Sequence, residues 1–343
     1  MRFDDSKLQT IVPTKVVGPI CMIFEDQKEQ VCVPMATYET PLWHSTKRGA
    51  LVSVKCGGIS TFVQDEGMSR SVIFEAKDLS KAFSCKSWIE NNREAICNCV
   101  LSTGNHVSLK NYSVEIIGNL IYLRLMVFVG NAAGHNTATK AADAVIRLIQ
   151  ENCDVKYCSV SGNTCVDKKN SAINGILGRG KRCFAEITIS ESICKSLLKT
   201  TPEKIADLNV KKNLLGSILA GSVRSANAHY ANILLSMFLA TGQDAANIVE
   251  GSQGITFAEV RGSDLYFSVS IPNIIVGTVG NGKEFDFVKQ NLSLMKCDAA
   301  DENSSRRLAA IITATTLCSE LSLMAAQTNQ GELMQTHLHL ERQ

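Results

Sequence analysis

The stretch Ser113-Val-Glu-Ile-Ile-Gly-Asn-Leu-Ile-Tyr-Leu-Arg-Leu-Met-Val-Phe-Val129 holds two strand-like apolar runs joined by Gly118-Asn119, a pair suited to a tight hairpin. A glycine-rich turn at 130–134 follows. Then comes Ala138-Thr-Lys-Ala-Ala-Asp-Ala-Val-Ile-Arg-Leu-Ile149, whose apolar residues recur at helical spacing. A last strand at 155–160 closes the segment. With a helix ahead of the hairpin, residues 72–159 form a small α+β unit inserted into a larger one made of residues 1–71 and 160–343. The expected fold class is α+β, the larger part mainly helical around a central buried helix.

Outward from that insert, residues 30–37 read as a strand ending in a turn, and a helix begins near Thr40-Pro41, where Pro suits the first helical turn. Thr201-Pro202-Glu203 supplies a capping hydroxyl, a proline and an acid at another helix start. Residues 213–241, rich in Gly, Ala and Ser, read as the buried central helix. Strands follow at 265–271, and the last long helix runs from about Ser305 to Gln327.

The chain has 343 residues, 45% apolar and 20% charged, enough for two folded domains. A net charge of +2 gives no general attraction to nucleic acid or an anionic membrane, so any anion must be held by a local cluster. Thirteen cysteines at irregular spacing, with Cys97 and Cys99 the only close pair, predict packed thiols in a reducing cytosol and no metal site. The apolar stretch 119–130 is too short to span a bilayer, and 213–242 is interrupted by Arg224, Asn227, His229 and Asn232, so no membrane span is expected.

Several residues could carry chemistry. Ser161-Gly-Asn-Thr-Cys-Val-Asp-Lys-Lys169 follows a strand and puts Asp167, Lys168 and Lys169 at a helix start, which suits an anionic ligand. A solvated lysine pair beside an ordinary cap explains the same residues. Ser225, His229, Asn232 and Ser236 recur at steps of four, three and four on one face of the 213–241 helix; a structural hydrogen-bond network accounts for that stripe as well as a site does. Asp244, after Thr241-Gly-Gln, reads alone as a polar residue past a glycine cap. The turns Val129-Gly-Asn-Ala-Ala-Gly-His-Asn136 and Gly277-Thr-Val-Gly-Asn-Gly-Lys283 match neither the Rossmann fingerprint nor the P-loop. His337 reads alone as a surface histidine on a terminal tail.

Five segments taken together resemble the 3-hydroxy-3-methylglutaryl-CoA (HMG-CoA) reductases. They are Val33-Pro-Met-Ala-Thr-Tyr-Glu39, Ser161 to Lys169, Asn227-Ala-His-Tyr-Ala-Asn232 with Thr241-Gly-Gln-Asp244, Gly277-Thr-Val-Gly280, and Glu320-Leu-Ser-Leu-Met-Ala-Ala326. They occur in the family's order across nearly the whole chain. The resemblance implies reduction of HMG-CoA to mevalonate and free CoA, as in the mevalonate route to isoprenoids. NADPH is the implied donor, with NADH as the alternative. It implies a ferredoxin-like small domain holding the dinucleotide and a large domain holding substrate and CoA. The implied assembly is a cytoplasmic homodimer or higher even oligomer with the active site between subunits.

Residue by residue, the resemblance implies Glu39, Lys168, Asp244 and His337 as catalytic groups. Lys168 would face the oxygen that gains charge as hydride arrives. Glu39, protonated through a burial-raised pKa, would donate to that oxygen, with Asp244 held between it and the lysine. His337 would protonate the departing thiolate. Arg70, Ser161, Asp167, Lys169 and Lys212 are implied for the substrate, with Asn232 bonding Lys168. Ser45, Arg48 and Lys199 are implied for CoA. Asn131, Ala133, Gly134, His135, Asn136, Gly280, Gly282 and Arg342 are implied for the dinucleotide.

The chain departs from the family at definite places. Asn131 and His135 stand where the dinucleotide turn usually has Asp and Met. Gly104-Asn105 replaces a Ser-Arg pair near the 2′-phosphate in NADPH-using relatives, removing a contact of about 1.5–3 kcal/mol that Arg342 would compensate. No Glu-Asn-x-Ile-Gly segment precedes Val17-Gly18-Pro19, so a trimmed dimer contact is expected. The rival is a non-catalytic CoA-thioester-binding relative whose cofactor site has decayed at Asn131 and Gly104.

Overall fold

The structure, a computed structural model, describes residues 10–298 and 301–341, with the side chains at 336, 337 and 339–341 outside that description. Strands β1 (Thr14–Phe24) and β2 (Gln27–Ala36) form a hairpin. It closes on Glu25 and Asp26, both at positive φ (48° and 62°), a two-residue turn whose twist matches that of the strands. Helix α1 (Thr40–Lys55) then starts with Pro41 in its first turn.

Strand β3 (Ile59–Ala76), 18 residues long, is shared by two sheets. After it come α2 (Leu79–Asn91), α3 (Arg93–Leu101), the hairpin β4 (Ser108–Ile117) and β5 (Leu120–Phe128), α4 (His135–Asn152) and β6 (Val155–Ser159). The chain returns through β7 (Gly180–Ile189), the short β8 (Ser225–Ala226), α5 (Tyr230–Ala240), β9 (Gly254–Arg261), β10 (Asp264–Ile274), α6 (Ser304–Gln327) and α7 (Glu332–Glu341). The first part of β3 lies between β1 and β7 in the order β2-β1-β3-β7-β10-β9-β8. Its second part, from Met68, lies between β5 and β6, giving β4-β5-β3-β6. The register shifts between Asp65 and Gly67, and Gly67 has φ 77°, so the strand changes partners at a residue free of the usual backbone restriction.

Each sheet carries its own apolar cluster. One gathers Met22, Met35, Phe238, Phe267, Leu317 and Leu321 with their neighbours; the other gathers Phe74, Ile89, Leu123, Val145 and Ile149. At the centre of the first lies α6, long and apolar enough to cross a membrane, yet 94% of its most apolar window is buried inside the protein. Its threonines cost little there because they bond back within the helix: Thr313, Thr315 and Thr316 donate to the carbonyls of Ala309, Ile311 and Ile312 at 2.7–2.8 Å. Helix α1 crosses α6 so closely that a Cβ on Gly49 would sit 2.0 Å from the Cys318 carbonyl oxygen. Gly49→Ala is therefore expected to lower stability by about 1–3 kcal/mol through overpacking. An unchanged urea unfolding midpoint would show that the crossing is looser than this.

The α+β class, the strands at 30–37 and 265–271, the hairpin turning at Gly118 and the helices from Thr40, Pro202 and Ser304 are as the sequence predicts. Two expectations fail. In the larger part helical residues outnumber strand residues, but β1, β7, β9 and half of β3 also build a long sheet there that the sequence did not announce. Residues 213–241 are not one buried helix. Helical turns over Asn209–Leu219 stop at Gly221 (φ 71°), with Ile218 and Leu219 exposed, and a strand pair intervenes before α5. The buried central helix is α6. The Ser225–Ser236 stripe dissolves with that helix, since Ser225 lies in β8 and His229 only caps α5. Finally, Asp167, Lys168 and Lys169 lie in a loop ahead of a six-residue helix, Ala172–Leu177, whose cap is Ser171.

Candidate active site

The loop 160–171 is held in a conformation that its residues would not choose. Asn163, Val166 and Lys168 have φ of 60°, 49° and 55°, costly for a β-branched valine in particular. Buried polar groups hold it there. The Ser69 hydroxyl donates to Cys165 O at 3.1 Å, Arg124 Nε to Thr164 O at 3.1 Å, and Asn174 Nδ2 to Val166 O at 3.1 Å. Beneath them Glu250, fully buried, accepts from the Lys168 N–H at 2.7 Å and pairs with Arg179 Nη1 at 2.6 Å. Arg179 also reaches Asp167 Oδ1 at 3.0 Å.

This clamp sets Lys168 Nζ 2.6 Å from Asp244 Oδ2. Asp244 lies just past Gly242, which leaves α5 at φ 61°. Burial alone would push its carboxyl pKa up; the Lys168 ammonium and the Ala246 N–H outweigh that and hold it below the usual range. Asp167 is depressed further, since His135 and Arg179 outweigh its burial.

Lys168 and Asp244 line a cavity of about 460 Å³ together with Arg70, His135, Asn136, Asp167, Gly280 and Lys283. Its walls are the two glycine-rich turns, tied by Thr278 N–H donating to Asn131 O at 2.9 Å and by a bridge between Ala132 and Val279. A larger cavity of about 890 Å³ continues past Gly104, Asn105 and His106 and shares Ala132, Asn136, Thr137 and Val279 with the first.

Glu39 is elsewhere in the single chain. It lines a separate cavity of about 340 Å³ with Ser45, Arg48, His229 and Asn232. It is half-buried rather than buried, at the N-cap position of α1 where it borders the cavity. Asn232 donates to Glu39 Oε2 at 2.9 Å, so its bond is to the acid and not to Lys168. Arg48 is tied to Glu332 Oε1 at 2.8 Å and to Ser322, and Ser45 also bonds Ser322.

The other implied residues divide. Ala133, Gly134, His135, Asn136 and Gly280 line the Lys168 cavity. Ser161, Lys169, Lys199, Lys212 and Gly282 line none of these three cavities. The Asn131 side chain is committed to structure, accepting from Ser305 N–H at 3.1 Å and donating to Asp301 O at 2.7 Å, which fastens the turn to the start of α6. His337 falls within α7 with its side chain outside the described residues, as is Arg342 altogether.

Sequence reasoning missed Glu250 and Arg179, whose pairing spans 71 positions and leaves no local signal. His229, which the sequence offered as part of a polar stripe that could be a site, lines the Glu39 cavity, and its buried Nε2 has no hydrogen-bond partner among the described residues. Among the described residues, no group of three or more His, Cys, Asp or Glu is placed to hold a metal ion. The cysteines are free, and burial pushes Cys183, Cys194 and Cys297 up to about 12.

In an α+β chain, a lysine–carboxylate pair facing two joined glycine-rich turns is an arrangement suited to an enzyme that binds an anionic ligand. The comparisons identify the class. Residues 9–342 match the family model described as hydroxymethylglutaryl-coenzyme A reductase. The chain is 40% identical over 336 residues to the 3-hydroxy-3-methylglutaryl-coenzyme A reductase of Aeropyrum pernix, covering 96% of this chain and 79% of that one. It is 40% identical over 337 residues to that of Methanocaldococcus jannaschii, covering 96% and 82%. A solved class II reductase from Streptococcus pneumoniae, bound to NADPH, shares the fold with a TM-score of 0.76 at 16% identity, over 95% of this chain and 88% of that one. The chain belongs to the hydroxymethylglutaryl-coenzyme A reductase family.

Proposed function

We propose that the chain reduces the thioester of HMG-CoA to mevalonate and free CoA, with NADPH as donor and NADH as the alternative. The observation that carries this is Lys168 Nζ at 2.6 Å from Asp244 Oδ2, inside the cavity where the two glycine-rich turns meet. The residues present fit a dinucleotide: two cavities of about 460 and 890 Å³ share a wall along both turns, within the range of small-molecule sites. Ala133, Gly134, His135, Asn136 and Gly280 would hold it. Thioester to alcohol takes two hydrides, one to reach the aldehyde level with release of CoA and one to reach the alcohol, and two reduced nicotinamides bound in turn would supply them.

The chain's own groups do the rest. Lys168 stabilises the negative charge that develops on the carbonyl oxygen, and Asp244 keeps that ammonium aimed. Glu39, oriented by Asn232, delivers a proton to the oxygen; His337 protonates the thiolate of CoA. Arg70 and Asp167, with Ser161, Lys169 and Lys212, take the substrate's carboxylate end, while Ser45, Arg48 and Lys199 take CoA. Residues 72–159 act as the inserted, ferredoxin-like dinucleotide domain, and the remainder as the substrate domain. The separation of Glu39 from Lys168 in one chain favours a homodimer in which each site draws on both subunits, and the resemblance to the archaeal reductases favours a cytoplasmic enzyme.

Two results test this. Reduced-nicotinamide absorbance should fall when HMG-CoA is added with NADPH or NADH; HMG-CoA binding without turnover on either donor would favour the non-catalytic rival. Glu39→Gln and Lys168→Ala chains, each inactive, should recover up to about a quarter of wild-type activity when co-expressed, because half of randomly paired dimers carry one complete site. If verified hybrid dimers stay inactive, each site lies within a single chain.

A further inference from the structure

Four basic side chains line the Lys168 cavity, and three have a carboxylate within ion-pair distance: Arg70 and His135 face Asp167 at 3.8 and 3.4 Å, and Lys168 faces Asp244 at 2.6 Å. For Lys283, among the described residues, no carboxylate oxygen comes that close to Nζ. The ammonium donates to the Gly242 carbonyl at 2.5 Å, which accounts for one of its three N–H groups. It is half-buried, and burial pushes its pKa down to about 8 against a smaller upward pull from Glu284. A lysine capping the carbonyls beyond α5 explains that single bond. It does not explain why a partly desolvated ammonium, with no carboxylate at ion-pair distance among the described residues, faces a cavity.

The place of Lys283 says which anion it awaits. It ends the turn 277–283, and Val279 of the same turn lines both the Lys168 cavity and the larger one beyond. A dinucleotide occupying both cavities carries its two phosphates between its two nucleosides, at this shared wall. We propose that Lys283 is a cofactor-binding residue that contacts the pyrophosphate of the dinucleotide, and so serves NADH and NADPH alike. The inference rests on reading the cavity as the dinucleotide site.

The test uses the full chain and three proteins, wild type, K283M and K283R, with dissociation constants for NADPH and NADH from nucleotide fluorescence and for HMG-CoA from calorimetry. K283M should weaken both dinucleotides by about 10- to 100-fold, as expected for loss of a charge-assisted bond. K283R should stay within about threefold of wild type, since it keeps the charge, and HMG-CoA affinity should be unchanged in both variants. Wild-type affinity for both dinucleotides should fall as pH rises from 7 to 9, because the ammonium is lost above about 8, and K283R should lack that fall. His135, Asp167, Lys168 and Asp244 across the cavity and Glu284 beside it are common to both proteins, so the difference between the profiles isolates Lys283. Unchanged affinities in K283M would overturn the proposal. A loss confined to NADPH would also overturn it, by moving the contact to the 2′-phosphate. Equal losses in K283M and K283R together with lost HMG-CoA affinity would reduce Lys283 to a helix cap. Wild-type protein that binds neither dinucleotide would overturn the reading of the cavity itself, before any substitution is considered.

Discussion

Lys168→Ala should lower kcat for HMG-CoA reduction by about 10²–10³-fold while leaving the dissociation constant for HMG-CoA within a few-fold of wild type. The asymmetry follows from when the interaction matters. The ground-state carbonyl oxygen carries only partial charge, whereas hydride addition makes it an oxyanion, so a fixed ammonium gains most of its favourable energy during the reaction. Fixing it is the structure's contribution. Lys168 has φ 55°, its N–H is held by Glu250 at 2.7 Å, and Nζ is held by Asp244 at 2.6 Å, so little reorganisation remains when charge appears. Lys168→Arg should not restore the rate, because a planar guanidinium cannot occupy the same point beside Asp244. Single-turnover kinetics with a saturating donor would read the chemical step directly. A rate within about threefold of wild type in the alanine variant would remove Lys168 from the mechanism.

The fold was legible where local chemistry decides it. Gly118-Asn119 permits one kind of hairpin, Pro41 and Pro202 start helices, and the apolar run after Ser305 has no polar face to give solvent. It was illegible where a distant group overrides a local pattern. Residues 213–241 carry apolar residues at helical spacing on both sides of Gly221, yet the fully buried carboxylate of Glu320, reached from α6, accepts the N–H groups of Ala228 at 2.6 Å and His229 at 3.1 Å and turns the chain before α5. No periodicity within the segment reports that partner. The long sheet of the larger part was underread for a similar reason: β3 is one strand whose two halves serve different sheets, and a composition boundary at residue 72 falls inside it.

The site divides along the same line. Lys168 and Asp244 were named by the wording of their segments, and the structure brings these distant segments together. Asn232 was named too, but its partner is Glu39. What holds Lys168 in place could not be read, since Glu250 sits in Asn247-Ile-Val-Glu250 as an acid like any other until the fold buries it against Arg179. Lys283 escaped notice because a lysine after a glycine turn looks like solvated surface.

Glu250 is where stability and catalysis meet, and Glu250→Ala should affect both. Its carboxylate is fully buried and accepts three bonds, from Lys168 N–H at 2.7 Å, Arg179 Nη1 at 2.6 Å and Asn174 Nδ2 at 3.1 Å. Burial pushes its pKa up while the Arg179 charge pulls it down, so the pair exists only because each ion compensates the other. Removing the carboxylate leaves Arg179, 1% exposed, with Asp167 as its remaining carboxylate among the described residues, and it orphans the Lys168 N–H. Breaking one side of such a pair costs about 3–5 kcal/mol. Chemical unfolding should show that loss, and kcat should fall as the loop at Val166 and Lys168 relaxes from positive φ. Glu250→Gln separates the two effects, since its amide oxygen can still accept the Lys168 N–H. It should lose stability because the buried arginine loses the charge of its closer carboxylate, yet retain more of kcat than the alanine variant. An alanine variant as stable and as active as wild type would show that the strained loop holds itself, and that Lys168 owes its position to Asp244 alone.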